Sequence, residues 1–96
     1  MYMDFNEGLE LFRKTPGAVL LDVRSPEEYA GQHIEGSTNV PVQELPKVLE
    51  MVPDKSTPFF VHCLSGGRSS VACNFLKRIG YTNVTNIGGL SEYEPD

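Results

Sequence analysis

Apolar positions along this chain follow two rhythms, a helical one and a strand-like one, and they alternate. Phe5, Leu9 and Phe12 share one helical face, and Asp4-Phe5-Asn6-Glu7 before them has the D-x-x-E form of a capping box. Pro16-Gly17 should end that helix. Ala18-Val19-Leu20-Leu21-Asp22-Val23 is nearly continuous in apolar residues, the pattern of a parallel strand covered on both faces. Ser25-Pro26-Glu27-Glu28 offers a cap residue, proline at the first helical position and Glu at the third, so a short helix starts there. Gly31 to Gly36 reads as loop and Thr38-Asn39-Val40 as a short strand. Leu45, Val48, Leu49 and Val52 predict a third helix, which Pro53 ends and which tolerates Pro46 only in its first turn.

Phe59-Phe60-Val61, opening after Pro58, predicts a short buried strand. Val71, Ala72, Phe75, Leu76 and Ile79 predict the apolar face of a helix, with Gly80 as its C-terminal cap. Val84-Thr85-Asn86-Ile87 is a last strand before Gly88-Gly89-Leu90 and a short tail. Strands alternating with helices imply an α/β domain with a parallel sheet and helices on both faces. No linker, repeat or low-complexity segment interrupts it, so one domain is expected over residues 1–96.

Candidate chemistry concentrates between Pro58 and Ser70. Cys63 ends the strand, and Ser65-Gly66-Gly67 turns the chain into the helix. Glycines there let successive N–H groups point inward as an anion-binding nest, and the helix start adds free N–H groups and its positive dipole end. A thiol at the rim of such a cup should ionise below the usual value of about 8.5. Most core cysteines are inert, and a Gly-Gly loop is often only a turn. The coincidence of cysteine, glycines, Arg68 and a helix start within positions 63–68 favours catalytic or anion-binding use. Ligands of such sheets sit at the carboxyl ends of the strands, where both Asp22 and Cys63 fall.

Composition narrows the partners. The net charge of −5 and pI near 4.9 argue against nucleic acid or an anionic membrane. No apolar run approaches a membrane span, and Met1-Tyr2-Met3-Asp4 has neither the basic region nor the apolar core of a signal peptide. Two cysteines, 63 and 73, make no disulfide framework, so a reducing cytoplasm is the expected compartment. Cys73 falls about 125° from the centre of the predicted apolar helix face, a boundary position unsuited to a resolving thiol.

With these pieces placed, the chain resembles a single-domain rhodanese, a thiosulfate-type sulfurtransferase. The matching stretches are Leu21-Asp22-Val23-Arg24 with Glu28-Tyr29, Gly31-Gln32-His33-Ile34-Glu35-Gly36, and Asn39-Val40-Pro41. Cys63-Leu64-Ser65-Gly66-Gly67-Arg68-Ser69, Gly80-Tyr81-Thr82-Asn83-Val84 and Gly88-Gly89-Leu90 follow in order. The resemblance implies a three-layer α/β/α fold with strand order 3-2-4-5-1, the first strand reduced to a stub over Met1–Met3. It implies catalysis by Cys63 through a persulfide, with Leu64, Ser65, Gly66, Gly67, Arg68 and Ser69 binding substrate and stabilising the persulfide. A small sulfur donor such as thiosulfate, a thiol or cyanide acceptor (a protein thiol included), a monomer, and no metal or organic cofactor are implied with it.

The same fold carries Cys-dependent phosphatases and arsenate reductases, and the thiolate could also serve a non-catalytic, redox-sensing module. Those phosphatases place five residues between Cys and Arg; here only four separate Cys63 from Arg68, the shorter loop that goes with sulfur transfer. Two positions depart from the family. Leu64 stands where arginine is common, which should weaken attraction for doubly charged thiosulfate, and Tyr93 stands where tryptophan is common. Arg68 is expected to orient a donor anion or brace the loop through backbone carbonyls. Asp22 and Arg24 are expected to be supporting residues, with Arg24 pairing Glu28. His62 is expected to pack and His33 to brace its loop.

Overall fold

The computed structural model describes residues 3–95. Helix α1 (Phe5–Lys14) is capped by the Asp4 carboxylate, which accepts from the Asn6 and Glu7 N–H groups. Strand β1 (Val19–Asp22) leads to α2 (Pro26–Gly31), where Ser25 and Glu28 complete a reciprocal capping box with Pro26 in the first turn. Strand β2 (Ser37–Asn39), a 3₁₀ turn (Val42–Lys47) and α3 (Val48–Met51) follow. Then come β3 (Phe59–Cys63), α4 (Gly67–Arg78), β4 (Val84–Gly89) and a 3₁₀ turn over Leu90–Glu92. The strands pair in parallel in the order β2-β1-β3-β4. That is the expected order without its stub. Of the stub, Met1 and Tyr2 lie outside the described residues, while the Met3 N–H donates to the Asn86 carbonyl of β4 at 2.8 Å.

Strand periodicity sorts side chains into two cores. Leu21, Phe59, Val61 and Cys63 pack with Val48, Ala72, Cys73 and Leu76 on the face covered by α3 and α4. Leu20, Phe60 and Ile87 pack with Phe5 and Leu9 of α1 on the other face. Gly8 lets α1 approach closely, since a Cβ there would lie 2.3 Å from the Ile87 side chain. Among the described residues no helix is long and apolar enough to cross a membrane.

Several sequence expectations need correction. The short second strand spans 37–39 rather than 38–40. The third helix is largely 3₁₀, because Pro46 supplies no N–H; Leu45 and Val48 are buried at i, i+3 spacing while Leu49 is exposed. The last strand runs on to Gly89 through a bulge: Val61 pairs with Asn86 but His62 with Gly88. On α4 the buried residues are Ser69, Ala72, Cys73 and Leu76, whereas Val71 is 61% exposed. At about 100° per residue this face is centred some 80° away from the expected one, which turns Cys73 from a boundary residue into a core residue.

Candidate active site

The site forms where β3 ends against the bulge of β4. Gly66 takes a left-handed conformation, φ 107°, at the N-cap of α4, which turns the chain back over Cys63. Its N–H donates to Cys63 Sγ at 3.0 Å. Gly67 is already helical and needs no such freedom. The Ser69 hydroxyl lies 3.7 Å from Sγ and within 3.0 Å of both the Gly66 carbonyl and Asn86 Oδ1. Ser69 is thus the polar member of a buried helix face, turned toward the thiol.

The loop is held from behind by β4. A Cβ on Gly89 would sit 2.1 Å from the Leu64 carbonyl oxygen, so only glycine lets the strand pass this close. The Ser91 N–H donates to that same oxygen at 3.0 Å. Asn86 Oδ1 accepts from the Gly88 N–H at 2.9 Å, closing the bulge, while its Nδ2 donates to the Ser70 hydroxyl at 3.1 Å. Asn86, Gly89 and Ser91 are site residues that the sequence reading above does not include. The Asn-x-Gly spacing of an Asx turn is the signal in the sequence, masked because Asn86 also fits an ordinary strand position.

Cys63 sits on the floor of the cup rather than at its rim, with 1% of its surface exposed. Burial by itself would push its pKa up. Hydrogen bonding with Ser69, through its N–H and its hydroxyl, and with the Gly66 and Ser65 N–H groups outweighs that, and the thiol ionises below its ordinary value. Leu64, the next residue, is 42% exposed.

The supporting charges pair differently from expectation. Arg24 does not reach for Glu28; its Nε and Nη2 grip the Asp22 carboxylate at 2.8–3.1 Å, and Nη2 also donates to the Gln32 carbonyl at 2.6 Å. Both residues are buried, and Asn39 Nδ2 donates to their backbone carbonyls at 2.9 and 3.0 Å. Asp22 and Arg24 are two apart in extended chain, which turns their side chains to the same side. Arg68 neither braces carbonyls nor stands free. Its two terminal nitrogens donate to the two oxygens of Glu28 at 2.7 and 3.0 Å.

His62 is fully buried edge-on to Phe5, its Nδ1 donates to the Cys63 carbonyl, and burial lowers its pKa. It packs, as expected. His33 stacks on Tyr29, with Nδ1 against the Tyr29 carbonyl at 2.7 Å, and braces the end of α2. Tyr93 packs edge-on to Phe5. Among the described residues no group of three His, Cys, Asp or Glu side chains is placed to hold a metal ion.

Comparison with known proteins agrees with this geometry. Residues 6–96 match the rhodanese-like domain family. The thiosulfate sulfurtransferase PspE of Escherichia coli is 40% identical over 73 residues, covering 75% of this chain and 70% of that protein. A rhodanese solved with anions, also from E. coli, superposes with a TM-score of 0.75 at 36% identity, over 82% of this chain and 94% of that one. The human single-domain sulfurtransferase TSTD1 gives a TM-score of 0.78 at 30% identity, over 90% of this chain and 88% of that one. Motif order, strand order and the cup around Cys63 thus meet in one assignment: the chain belongs to the rhodanese-like family and is a rhodanese-like transferase.

Proposed function

We propose that this protein transfers sulfane sulfur from a donor such as thiosulfate to a thiophilic acceptor, carrying it as a persulfide on Cys63. The observation behind this reading is the N–H of Gly66 on Sγ at 3.0 Å, in a cup whose other donors come from Ser65 and Ser69. The Cys63 thiolate attacks the outer sulfur of thiosulfate; the new S–S bond forms as the old one breaks, and sulfite leaves with the electron pair. The persulfide's terminal negative charge then meets preorganised N–H donors, as an oxyanion does in acyl transfer. A thiol or cyanide takes the outer sulfur and returns Cys63 to its thiolate. Ser65, Gly66 and Ser69 supply donors, Leu64 and Gly67 shape the loop, and Arg68 ties it to α2. Asp22 and Arg24 stiffen the neighbouring strand end. A reducing compartment suits a thiol that must stay free between turnovers.

Phosphoryl transfer fits less well. With both terminal nitrogens of Arg68 engaged by Glu28, the guanidinium is not offered to a phosphate. The test is to load the protein with thiosulfate, remove the excess and weigh its peptides. One added sulfur on the Cys63 peptide, stripped by cyanide as thiocyanate, is expected. Sulfur on Cys73, a Cys63–Cys73 disulfide, or robust Cys63-dependent hydrolysis of an aryl phosphate would overturn the reading.

A further inference from the structure

The buried Ser69 hydroxyl has one hydrogen and four acceptors around it. The Gly66 carbonyl and Asn86 Oδ1 both lie at 3.0 Å, the Gly88 carbonyl at 3.4 Å and Cys63 Sγ at 3.7 Å. The Gly66 carbonyl is already served by the Ser70 N–H at 3.3 Å and the Ser70 hydroxyl at 3.1 Å, which match its two lone pairs. The Gly88 carbonyl is beyond the usual length for a hydroxyl donor. That leaves Asn86 Oδ1 and the sulfur, and Oδ1 is the nearer.

The Asn86 amide is not free to turn. The Gly88 N–H donates to Oδ1 at 2.9 Å, and Nδ2 donates to the Ser70 hydroxyl at 3.1 Å. A flipped amide would set its NH₂ group against the Gly88 N–H, donor against donor. The backbone of Asn86 is held on both flanks, by pairing with Val61 of β3 and by the Met3 N–H on its carbonyl at 2.8 Å. The bulge of β4 therefore presents a fixed acceptor to Ser69. With Cys63 neutral, one directed chain forms: the S–H points to the Ser69 oxygen, and the Ser69 O–H donates to Asn86 Oδ1. With Cys63 ionised, the Ser69 O–H must leave Oδ1 to turn toward the sulfur. Asn86 thus favours the neutral thiol and opposes the backbone donors of the loop.

We propose that Asn86 is a positioning residue of the transfer reaction: by holding the Ser69 hydroxyl hydrogen, it restrains the ionisation of Cys63 and keeps its thiolate a strong nucleophile. This rests on the sulfurtransferase reading above and adds a control on the same thiol. A thiolate that accepts fewer hydrogen bonds ionises at higher pH and keeps more of its nucleophilicity. The persulfide needs the hydrogen least, since its charge lies on the outer sulfur. When the acceptor takes that sulfur, the S–S bond breaks and its electron pair returns to Sγ. Rotation about the Ser69 Cβ–Oγ bond then brings the hydrogen to the new charge. Among the described residues, the titratable neighbours of Cys63 are Arg68 and Cys73 of α4. The loop 64–67 and β4 bring none, Glu50 of α3 is exposed, and Asp22 and His62 lie on the opposite face of the sheet, toward Phe5. Substitution of Asn86 or Ser69 leaves all of these in place.

The ionisation of Cys63 is read from its rate of alkylation by iodoacetamide against pH, followed on the Cys63 peptide by mass spectrometry. The wild type, Asn86→Ala, Ser69→Ala and the double variant are compared. Asn86→Ala releases the Ser69 hydrogen to the sulfur, so its midpoint should fall by about 0.5 in pH. Its plateau rate at high pH should fall about twofold, because nucleophilicity drops with acidity. Ser69→Ala should raise the midpoint, and the double variant should match Ser69→Ala. A cup merely loosened by the substitution would lose backbone donors, so a raised or unmoved midpoint in Asn86→Ala would overturn the proposal. A second measurement leaves Asn86 intact: its side-chain carbonyl carbon, followed by NMR, should titrate with Cys63 in the wild type and respond far less in Ser69→Ala. A response of equal size in both proteins, or none in the wild type, would overturn the proposal as well. Failure of thiosulfate to load Cys63 with sulfur, with these shifts present, would instead remove the sulfurtransferase reading alone.

Discussion

Cys63 and Cys73 belong to the same core cluster, and each is nearly sealed from solvent, yet their acidities move in opposite directions. Burial acts on both in the same sense, against the thiolate. At Cys73, seven residues into α4, nothing outweighs it, and the pKa is pushed up to about 11. At Cys63 the chain turns through Gly66 and aims backbone N–H groups at the sulfur, and the pKa falls. Position at a strand-to-helix junction, rather than exposure, separates the more acidic thiol from the less acidic one. The sharpest break between them is Cys63→Ser, which should abolish thiocyanate formation, whereas Cys73→Ala should leave it at the wild-type level.

The comparison can also be broken without touching either sulfur. Gly89→Ala drives a methyl group into the Leu64 carbonyl, at 2.1 Å in the native geometry, so the loop must move away from β4. A shift of that size in the donors around Cys63 should lower kcat/KM about 100-fold. Gly8→Ala makes a comparable clash, 2.3 Å, but with the Ile87 side chain under α1. It should lower the thermal midpoint while leaving the activity of the folded fraction intact. Equal losses of activity in the two variants would mean that the cup is not held by β4.

Ser69→Ala is a smaller perturbation, since the backbone donors of Ser65, Gly66 and Ser69 remain. It removes the one side-chain hydroxyl that helps to lower the Cys63 pKa. Activity should drop about tenfold, less than for the loss of a full oxyanion-hole donor. The pH–rate profile should shift to higher pH, because more alkali is needed to form the thiolate. Loss of rate with an unmoved profile would make Ser69 a packing residue only.

Most of the fold was legible because its elements are local. The Ser25-Pro26-Glu28 cap, the doubly covered run before Asp22 and the cup at Cys63 each lie within a few residues. What was missed depends on tertiary neighbours. Ser69 occupies a buried position on α4 as a polar residue, so a pattern of apolar residues alone takes in the exposed Val71 instead, rotates the face and puts Cys73 at its boundary. Arg24 stands before the helix that carries Glu28, so helical i, i+4 reasoning did not apply to it. The partner of Arg68 lies 40 residues away, a distance no local pattern spans. Asn86 and Gly89 matter only because β4 passes behind the loop.

Cys73 offers the smallest effect and the most specific one. In the unfolded chain it should titrate near the ordinary thiol value of 9.0, and in the fold near 11. Between those values the unfolded state binds fewer protons than the native state, so stability falls as pH rises through that window. Below it, the contribution is fully present. The shift caps the loss at up to about 3 kcal/mol. Cys73→Ala removes this titration and, at neutral pH, costs about 1 kcal/mol for the lost sulfur contacts. Urea midpoints measured under reducing conditions should therefore show the variant less stable than the wild type at pH 7. The gap should close or invert by pH 10.5. Cys63, whose folded pKa is depressed, acts with the opposite slope: it adds stability above its unfolded pKa and loses it as pH falls through the folded value. A gap between wild type and Cys73→Ala that stays constant from pH 7 to 10.5 would mean that Cys73 ionises as freely in the fold as in the unfolded chain, and the contrast between the two thiols would rest on Cys63 alone.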